Sequence, residues 1–282
     1  NHMHVSSPRR VAVTGAAGSL ARDILPGLAA RGHELVGIDQ HAPASFEGAR
    51  WETGSIADRA WMADVLRGCD AVIHLAGIPL ESDWESMLRV NIDGTQAVLE
   101  AARVAGVSRA ILASSIHAAG FVPVPSAGSL VGDDVIIRPN TFYGVSKAAV
   151  EALGSLYHDR WGLEVICVRI ASRFARPQDE RMLSTWLSPA DAVRLFEAAL
   201  TTPDPGYRVV WGVSANTRGF LSHDGGAAIG FAPQDDAEAY AQDVVDDPRA
   251  DVHATEWDRR YLGGRFCSPT PPMFAGWPEA GE

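Results

Sequence analysis

The chain has 282 residues, 46% of them hydrophobic, which is enough to bury one large core or two modest ones. Its formal charge of −11 speaks against a nucleic-acid partner, because a phosphate-binding footprint needs clustered Lys and Arg. No apolar run reaches the ~18 residues of a membrane helix, no charged and then apolar leader opens the chain, and Cys69, Cys167 and Cys267 are too widely spaced for a disulfide frame or a zinc site, so the expectation is a cytoplasmic globular enzyme without membrane contact or metal.

Asn1-His2-Met3-His4 reads as a vector-derived scar before the native start, and its histidines are given no ligand role. From there β-rich and helix-period segments alternate. Strands are predicted at Val11–Val13, Glu34–Ile38, Ala71–Leu75, Ala110–Ala113 and Glu164–Val168, with helices between them at Leu20–Ala30, Ala57–Arg67, Trp84–Ala105 and Phe142–Trp161. The third helix stops at Gly106, where a left-handed cap is cheapest. This βαβαβαβαβ order predicts an α/β fold, a Rossmann-type doubly wound parallel sheet. Beyond Ala171 the pattern changes: Ser184–Leu187 leads into a helix from Ser188 with Pro189 in its first turn, and a short strand follows at Arg208–Trp211. The division expected is a nucleotide-binding domain over 5–171, a smaller interleaved substrate-binding lobe over 172–267 and an irregular Pro-rich tail over 268–282.

Thr14-Gly15-Ala16-Ala17-Gly18-Ser19-Leu20-Ala21 follows a strand and opens a helix, the setting that a glycine-rich nucleotide loop requires. Gly15 permits the tight turn, Gly18 lets the backbone approach a pyrophosphate, and the helix from Leu20 aims free N–H groups at the phosphates. Ala21 stands where a third glycine is common and is the smallest replacement for it. Asp39 ends the second strand about 20 residues on, where a carboxylate accepts from ribose hydroxyls and repels a 2′-phosphate. Gln40, His41 and Ala42 bring no cation, so the expected cofactor is NAD rather than NADP.

Tyr143 and Lys147 stand at i and i+4 on a predicted helix and share a face. An ammonium beside a phenol favours the phenolate, which turns the tyrosine into a usable general base.

With these motifs the chain resembles the extended, epimerase-like branch of the short-chain dehydrogenase/reductase superfamily. The resemblance rests on Thr14–Ala21, His74-Leu75-Ala76-Gly77, Asn91-Ile92-Asp93-Gly94-Thr95, Ser114-Ser115 and Tyr143–Lys147, in that order. It implies Tyr143 as acid/base, Lys147 on the nicotinamide ribose, Ser115 on the reacting oxygen and Asn91 in a proton relay. It further implies a cofactor site that adds Ser19, Leu20, Ser55, Ile56, Leu75, Ala76, Gly77 and Ile170 to Gly15, Gly18, Asp39, Asn91, Tyr143 and Lys147. His74, at a strand end, is read as structural. The second half, through Arg181-Met182-Leu183-Ser184-Thr185-Trp186 and Val210–Asn216, is similar to uronate dehydrogenases, which oxidise a free hexuronic acid to an aldarolactone with NAD. That likeness implies a sugar-acid substrate, with Arg181 on its carboxylate and Ser115, His117, Ser172 and Phe266 lining the pocket. A nucleotide-sugar epimerase or dehydratase is the alternative, and a non-catalytic dinucleotide sensor a third. Pro79 and Ile116 depart from the polar residues of that family, and both are expected to make the pocket less polar. The helices Trp84–Ala105 and Phe142–Trp161 could pair with their copies in a homo-oligomer.

Overall fold

Val11, Ala12 and Val13 are all fully buried, as a strand covered on both faces requires. They form β1 (Arg10–Thr14) in a computed structural model that describes residues 9–42, 49–248 and 255–273. The other strands are β2 (Glu34–Asp39), β3 (Ala49–Thr53), β4 (Ala71–His74), β5 (Arg109–Ser115), β6 (Glu164–Ile170), β7 (Ser172–Arg173), β8 (Trp186–Leu187) and β9 (Tyr207–Gly212). Seven of them build one parallel sheet in the order β3-β2-β1-β4-β5-β6-β9, while β7 and β8 pair separately, also in parallel.

The helices are α1 (Ser19–Ala30), α2 (Arg59–Leu66), α3 (Trp84–Ser86), α4 (Gly94–Ala105), α5 (Phe142–Trp161), α6 (Met182–Thr185), α7 (Pro189–Thr201), α8 (Asp224–Ala228), α9 (Ala241–Asp246) and α10 (Glu256–Arg260). Alternate residues of the strands feed two cores. Val11, Val13, Ile73 and Ile111 pack with α1 and α7 on one face, and Ala12, Val36, Val72 and Ala110 with α2, α4 and α5 on the other. Sequence order reverses between β1 and β4, the switch point where a doubly wound sheet opens a crevice at its strand ends.

The expected strands and the α5 bounds match the structure, and Gly106 adopts the left-handed cap at φ 78°. Three features differ. The edge strand β3 was missed, since ARWET is charged at two positions and only half buried. The helix expected over Trp84–Ala105 contains a π-helical stretch, Met87–Asp93, between α3 and α4. Ser184–Leu187 divides between the end of α6 and β8. Residues 172–267 also return to the main sheet, because α7 packs on α1 and β9 extends the β6 edge. A separate cluster of Ile116, Val122, Val131, Trp211, Val213, Leu221 and Leu262 lies beyond the β5 and β9 ends. Of the Pro-rich tail, 274–282 lies outside the described residues, as do 1–8 with the opening histidines. No helix of the described residues is long and apolar enough to cross a membrane.

Candidate active site

The loops after β1 and β4 meet at the switch point. Gly15 has φ +66°, and a Cβ there would stand 2.7 Å from the Ala76 amide nitrogen, so only glycine lets the two loops touch. Gly18 starts α1 without any side-chain cap, which leaves the first-turn N–H groups of Ser19, Leu20 and Ala21 for a ligand. A cleft of about 490 Å³ runs from this turn past Leu75, Gly77 and Pro79 to Ser115, His117, Tyr143, Lys147 and Ile170. Asp39 accepts from the Ala17 amide at 3.0 Å and the Gln40 amide at 2.7 Å, which fixes its carboxylate beside the glycine loop. Ser55 Oγ accepts from the Ala57 amide, and Ile56 packs toward Gly94; neither lines the cleft, nor do Asp39 and Ala76.

Behind the loops Thr14 Oγ1 accepts the Leu75 and Ala76 amides at 3.1 and 3.2 Å, so its own proton goes to His74 Nδ1 at 2.7 Å. His74 Nε2–H then donates to Thr95 Oγ1 at 3.0 Å, and Thr95 donates to the Asn91 carbonyl at 2.7 Å. Burial pushes the imidazole down to about 3, with Lys147 acting in the same direction. His74 is a neutral strut of the loop pair.

Asn91 sits in the π-helical stretch, where its amide reaches across to the β4 loop. Oδ1 accepts from the Ile78 amide at 2.8 Å, and Nδ2 donates to the Ile78 carbonyl at 3.2 Å and to Ser146 Oγ at 3.1 Å. These contacts tie β4 to α5 and engage neither Tyr143 Oη nor Lys147 Nζ.

Thr141 caps α5 by accepting from the Gly144 amide at 2.9 Å. Glu81, which the sequence reading missed, adds a buried carboxylate that accepts from the Phe142 amide at 3.0 Å and the Tyr143 amide at 2.9 Å. The start of the helix carrying Tyr143 is thereby clamped to the loop after β4. Tyr143 is buried, and burial pushes its phenol up to about 12 while a hydrogen bond with Ser115 opposes that rise. Burial also pulls Lys147 down to about 8; its ammonium donates to the Ala113 carbonyl at 2.8 Å and lies 5.5 Å from the centre of the Tyr143 ring. The sequence expectation that Lys147 draws the phenol toward working pH is corrected on this point, since desolvation prevails here.

His117 stands edge-on to Tyr143 at 5.9 Å and to Phe266 at 4.8 Å between ring centres. Burial, and then the charge of Arg181, push it down to about 3, so it is neutral. Its Nδ1 accepts from Asn140 Nδ2 at 3.2 Å, which leaves the proton on Nε2 as a donor. Arg181 donates from Nη2 to the Leu262 carbonyl at 2.6 Å and approaches Ser172 Oγ at 3.5 Å, while its buried Nε finds no partner. Among the described residues it has no ion pair. Ser172, buried, shares a 2.8 Å hydrogen bond with Thr185.

Of the two departures, Pro79 lines the cleft, but Ile116 does not. Its side chain is 0% exposed within the apolar cluster around Trp211 and Leu262, so the expectation that it faces the pocket is corrected. The turn from Ser115 into the short 3₁₀ helix Ile116–Ala119 points consecutive side chains in different directions, and position 116 receives the inward one.

A glycine-lined loop at the switch point of a parallel sheet, leading to a buried Tyr and Lys on one helix face, defines a Rossmann-type oxidoreductase. The chain belongs to the NAD dependent epimerase/dehydratase family, whose sequence profile matches residues 11–222. Uronate dehydrogenase of Pseudomonas syringae pv. tomato is 36% identical over 93% of this chain and 94% of its own, and that of Agrobacterium fabrum is 38% identical over 84% and 89%. A crystal structure of uronate dehydrogenase from Agrobacterium tumefaciens, a mutant complexed with NAD, matches with TM-score 0.84 and 35% identity over 96% of this chain and 100% of that one. NAD is the cofactor, and the uncapped turn at Gly18 together with the close approach at Gly15 fit its pyrophosphate.

Proposed function

We propose that the protein is an NAD-dependent dehydrogenase that oxidises a hexuronic acid at its anomeric carbon to the lactone, in the cytoplasm, where three buried free cysteines stay reduced. Arg181 is the observation that carries this reading. A buried guanidinium with no direct ion pair, favoured only through space by Asp179 and Asp258, remains costly, and a substrate carboxylate would satisfy it with two parallel hydrogen bonds. Its charge also acts on His117, which stands against the Tyr143 ring, so acid and reacting centre can be held by one molecule. The similarity to uronate dehydrogenases supports the same substrate class. Ser172, Arg181 and Phe266 are not among the residues lining the cleft; in this reading they supply a substrate wall next to His117, which does line it and which Phe266 meets edge-on.

Ser115 and Tyr143 hold the anomeric hydroxyl between them, and Tyr143 removes its proton. NAD, held at the Gly15–Gly18 turn, would supply the hydride acceptor. Tyr143 acts in this step as the phenolate, having first released its own proton to water; burial opposes that ionisation, while the hydrogen bond with Ser115 and the Lys147 ammonium, whose value near 8 leaves it mostly charged at neutral pH, favour it. His117 Nε2–H donates to a sugar oxygen, and Asn91, through Ser146 and Ile78, positions α5 against the β4 loop. The test is NADH absorbance on mixing enzyme, NAD and glucuronate or galacturonate, with glucose as control. Net NADH from the acids alone is the expected result. No net NADH, or a nucleotide sugar being turned over instead, would favour an epimerase or dehydratase and overturn the reading.

A further inference from the structure

Among the described residues two cationic side chains line the cleft, Lys147 and Arg173. Lys147 lies at the Tyr143 end, with its ammonium on the Ala113 carbonyl. Arg173 lies at the other end, over the first turn of α1. Its Nη1 pairs with Asp23 at 2.8 Å, and its Nη2 donates to Ser19 Oγ. Neither the glycine loop nor the Tyr-Lys pair points to this residue.

We propose that Arg173 is a binding residue for the pyrophosphate of the cofactor, held in waiting by Asp23 and Ser19. The inference rests on the cofactor site described above. A pyrophosphate at Gly18 carries two negative charges, against which the helix terminus offers about half of one. Asp23 stands one turn further along α1 and opposes an anion there, so a cation is needed at this end of the cleft. Arg173 is the one in place.

Its backbone is held for the task. β7 carries Ser172 and Arg173 directly from the end of β6 and pairs with β8, where Ser172 lies opposite Trp186 and Arg173 opposite the fully buried Leu187. Trp186 Nε1 then donates to the Phe174 carbonyl at 2.8 Å, closing the segment on its far side. This two-stranded sheet brings the guanidinium to α1 across 150 residues of sequence. A partly exposed ion pair contributes little to stability, so the pair with Asp23 alone does not account for a cation placed on a ligand cleft. A planar guanidinium can keep one edge on Asp23 while the other turns from Ser19 to a phosphate oxygen.

The test measures binding by titration calorimetry, without sugar, for NAD, ADP-ribose and adenosine. Arg173→Met is expected to weaken NAD and ADP-ribose by about 10–100-fold, the range of one charge-assisted contact, and to leave adenosine unchanged. Arg173→Lys should recover part of the loss, and Asp23→Asn should bind both phosphorylated ligands at least as well as wild type. The salt dependence of NAD binding should also flatten in Arg173→Met. Unchanged NAD affinity in Arg173→Met, an equal loss for adenosine, or an Asp23→Asn defect matching that of Arg173→Met would overturn the proposal and assign the pair to structure. These outcomes are independent of the sugar, so failure on hexuronates leaves this result standing. A wild-type protein that bound no NAD would overturn both readings together.

Discussion

In the proposed mechanism the side chains of Tyr143, Arg181 and Ile116 have separable effects, because they would meet the reacting hydroxyl, the substrate carboxylate and the interior respectively. Tyr143→Phe keeps the ring against His117 and removes only the phenol, so NAD affinity should hold while kcat falls by a factor on the order of 10²–10⁴; near-native turnover would show that the base is elsewhere. Arg181→Ala removes the buried guanidinium proposed to hold the substrate carboxylate. The expected outcome is a steep rise in KM for the sugar acid, a loss of roughly 2–4 kcal/mol in kcat/KM, and little change in NAD binding. If glucuronate KM stays put, the carboxylate binds at another group. Ile116→Asn would place an amide in the apolar cluster of Val122, Trp211 and Leu262. It should cost on the order of 2–4 kcal/mol of stability without improving activity on hexuronates. A stable Ile116→Asn enzyme with raised activity would return position 116 to the pocket.

At the scale of elements, the site depends on how α5 is anchored. Its first amides are met by Thr141 and by the Glu81 carboxylate, whose charge also suits the positive end of the helix. Glu81→Ala should lower stability by about 1–3 kcal/mol and reduce kcat, with Glu81→Gln intermediate since one acceptor oxygen survives. Urea unfolding checks this, and an unchanged midpoint in Glu81→Ala would refute it. Elements of this kind show what a sequence conveys. α5 was legible end to end because Gly162 stops it and its spacing is regular, and the glycine loop was legible because each glycine answers a backbone demand. Glu81 and Arg173 were not, since they act on partners 61 and 150 residues away with no local pattern. Ile116 was misread because its neighbours Ser115 and His117 both line the cleft. The direction of the side chain between them depends on a turn that periodicity does not fix.

Across the whole molecule, the buried neutral histidines make stability depend on acid. His74 and His117 both titrate near 3 in the folded protein against an ordinary 6.5, chiefly because burial disfavours the imidazolium. The unfolded chain therefore binds more protons than the folded one between these values, and stability must fall as pH drops from about 6.5 toward 3. The two sites act in the same direction over that window, and their contributions add. At the alkaline end Lys147 works in the same direction. Its folded value near 8 lies below the ordinary 10.5, so the folded state binds fewer protons in between and stability rises with pH there. Tyr143, raised from 10.0 to about 12, removes stability above 10. Carboxylates held low, such as Asp236 and Asp258, contribute to acid loss only around and below their ordinary 3.8, which leaves pH 5 to 6.5 to the histidines. His74→Asn keeps a polar group beside Thr14 and removes one titrating site. Urea midpoints followed from pH 6.5 to 5 should fall less steeply for this variant than for wild type, by about half if the two histidines share the effect equally. Parallel slopes would mean that His74 takes up its proton in the folded state, and the neutral strut between Thr14 and Thr95 would have to be abandoned.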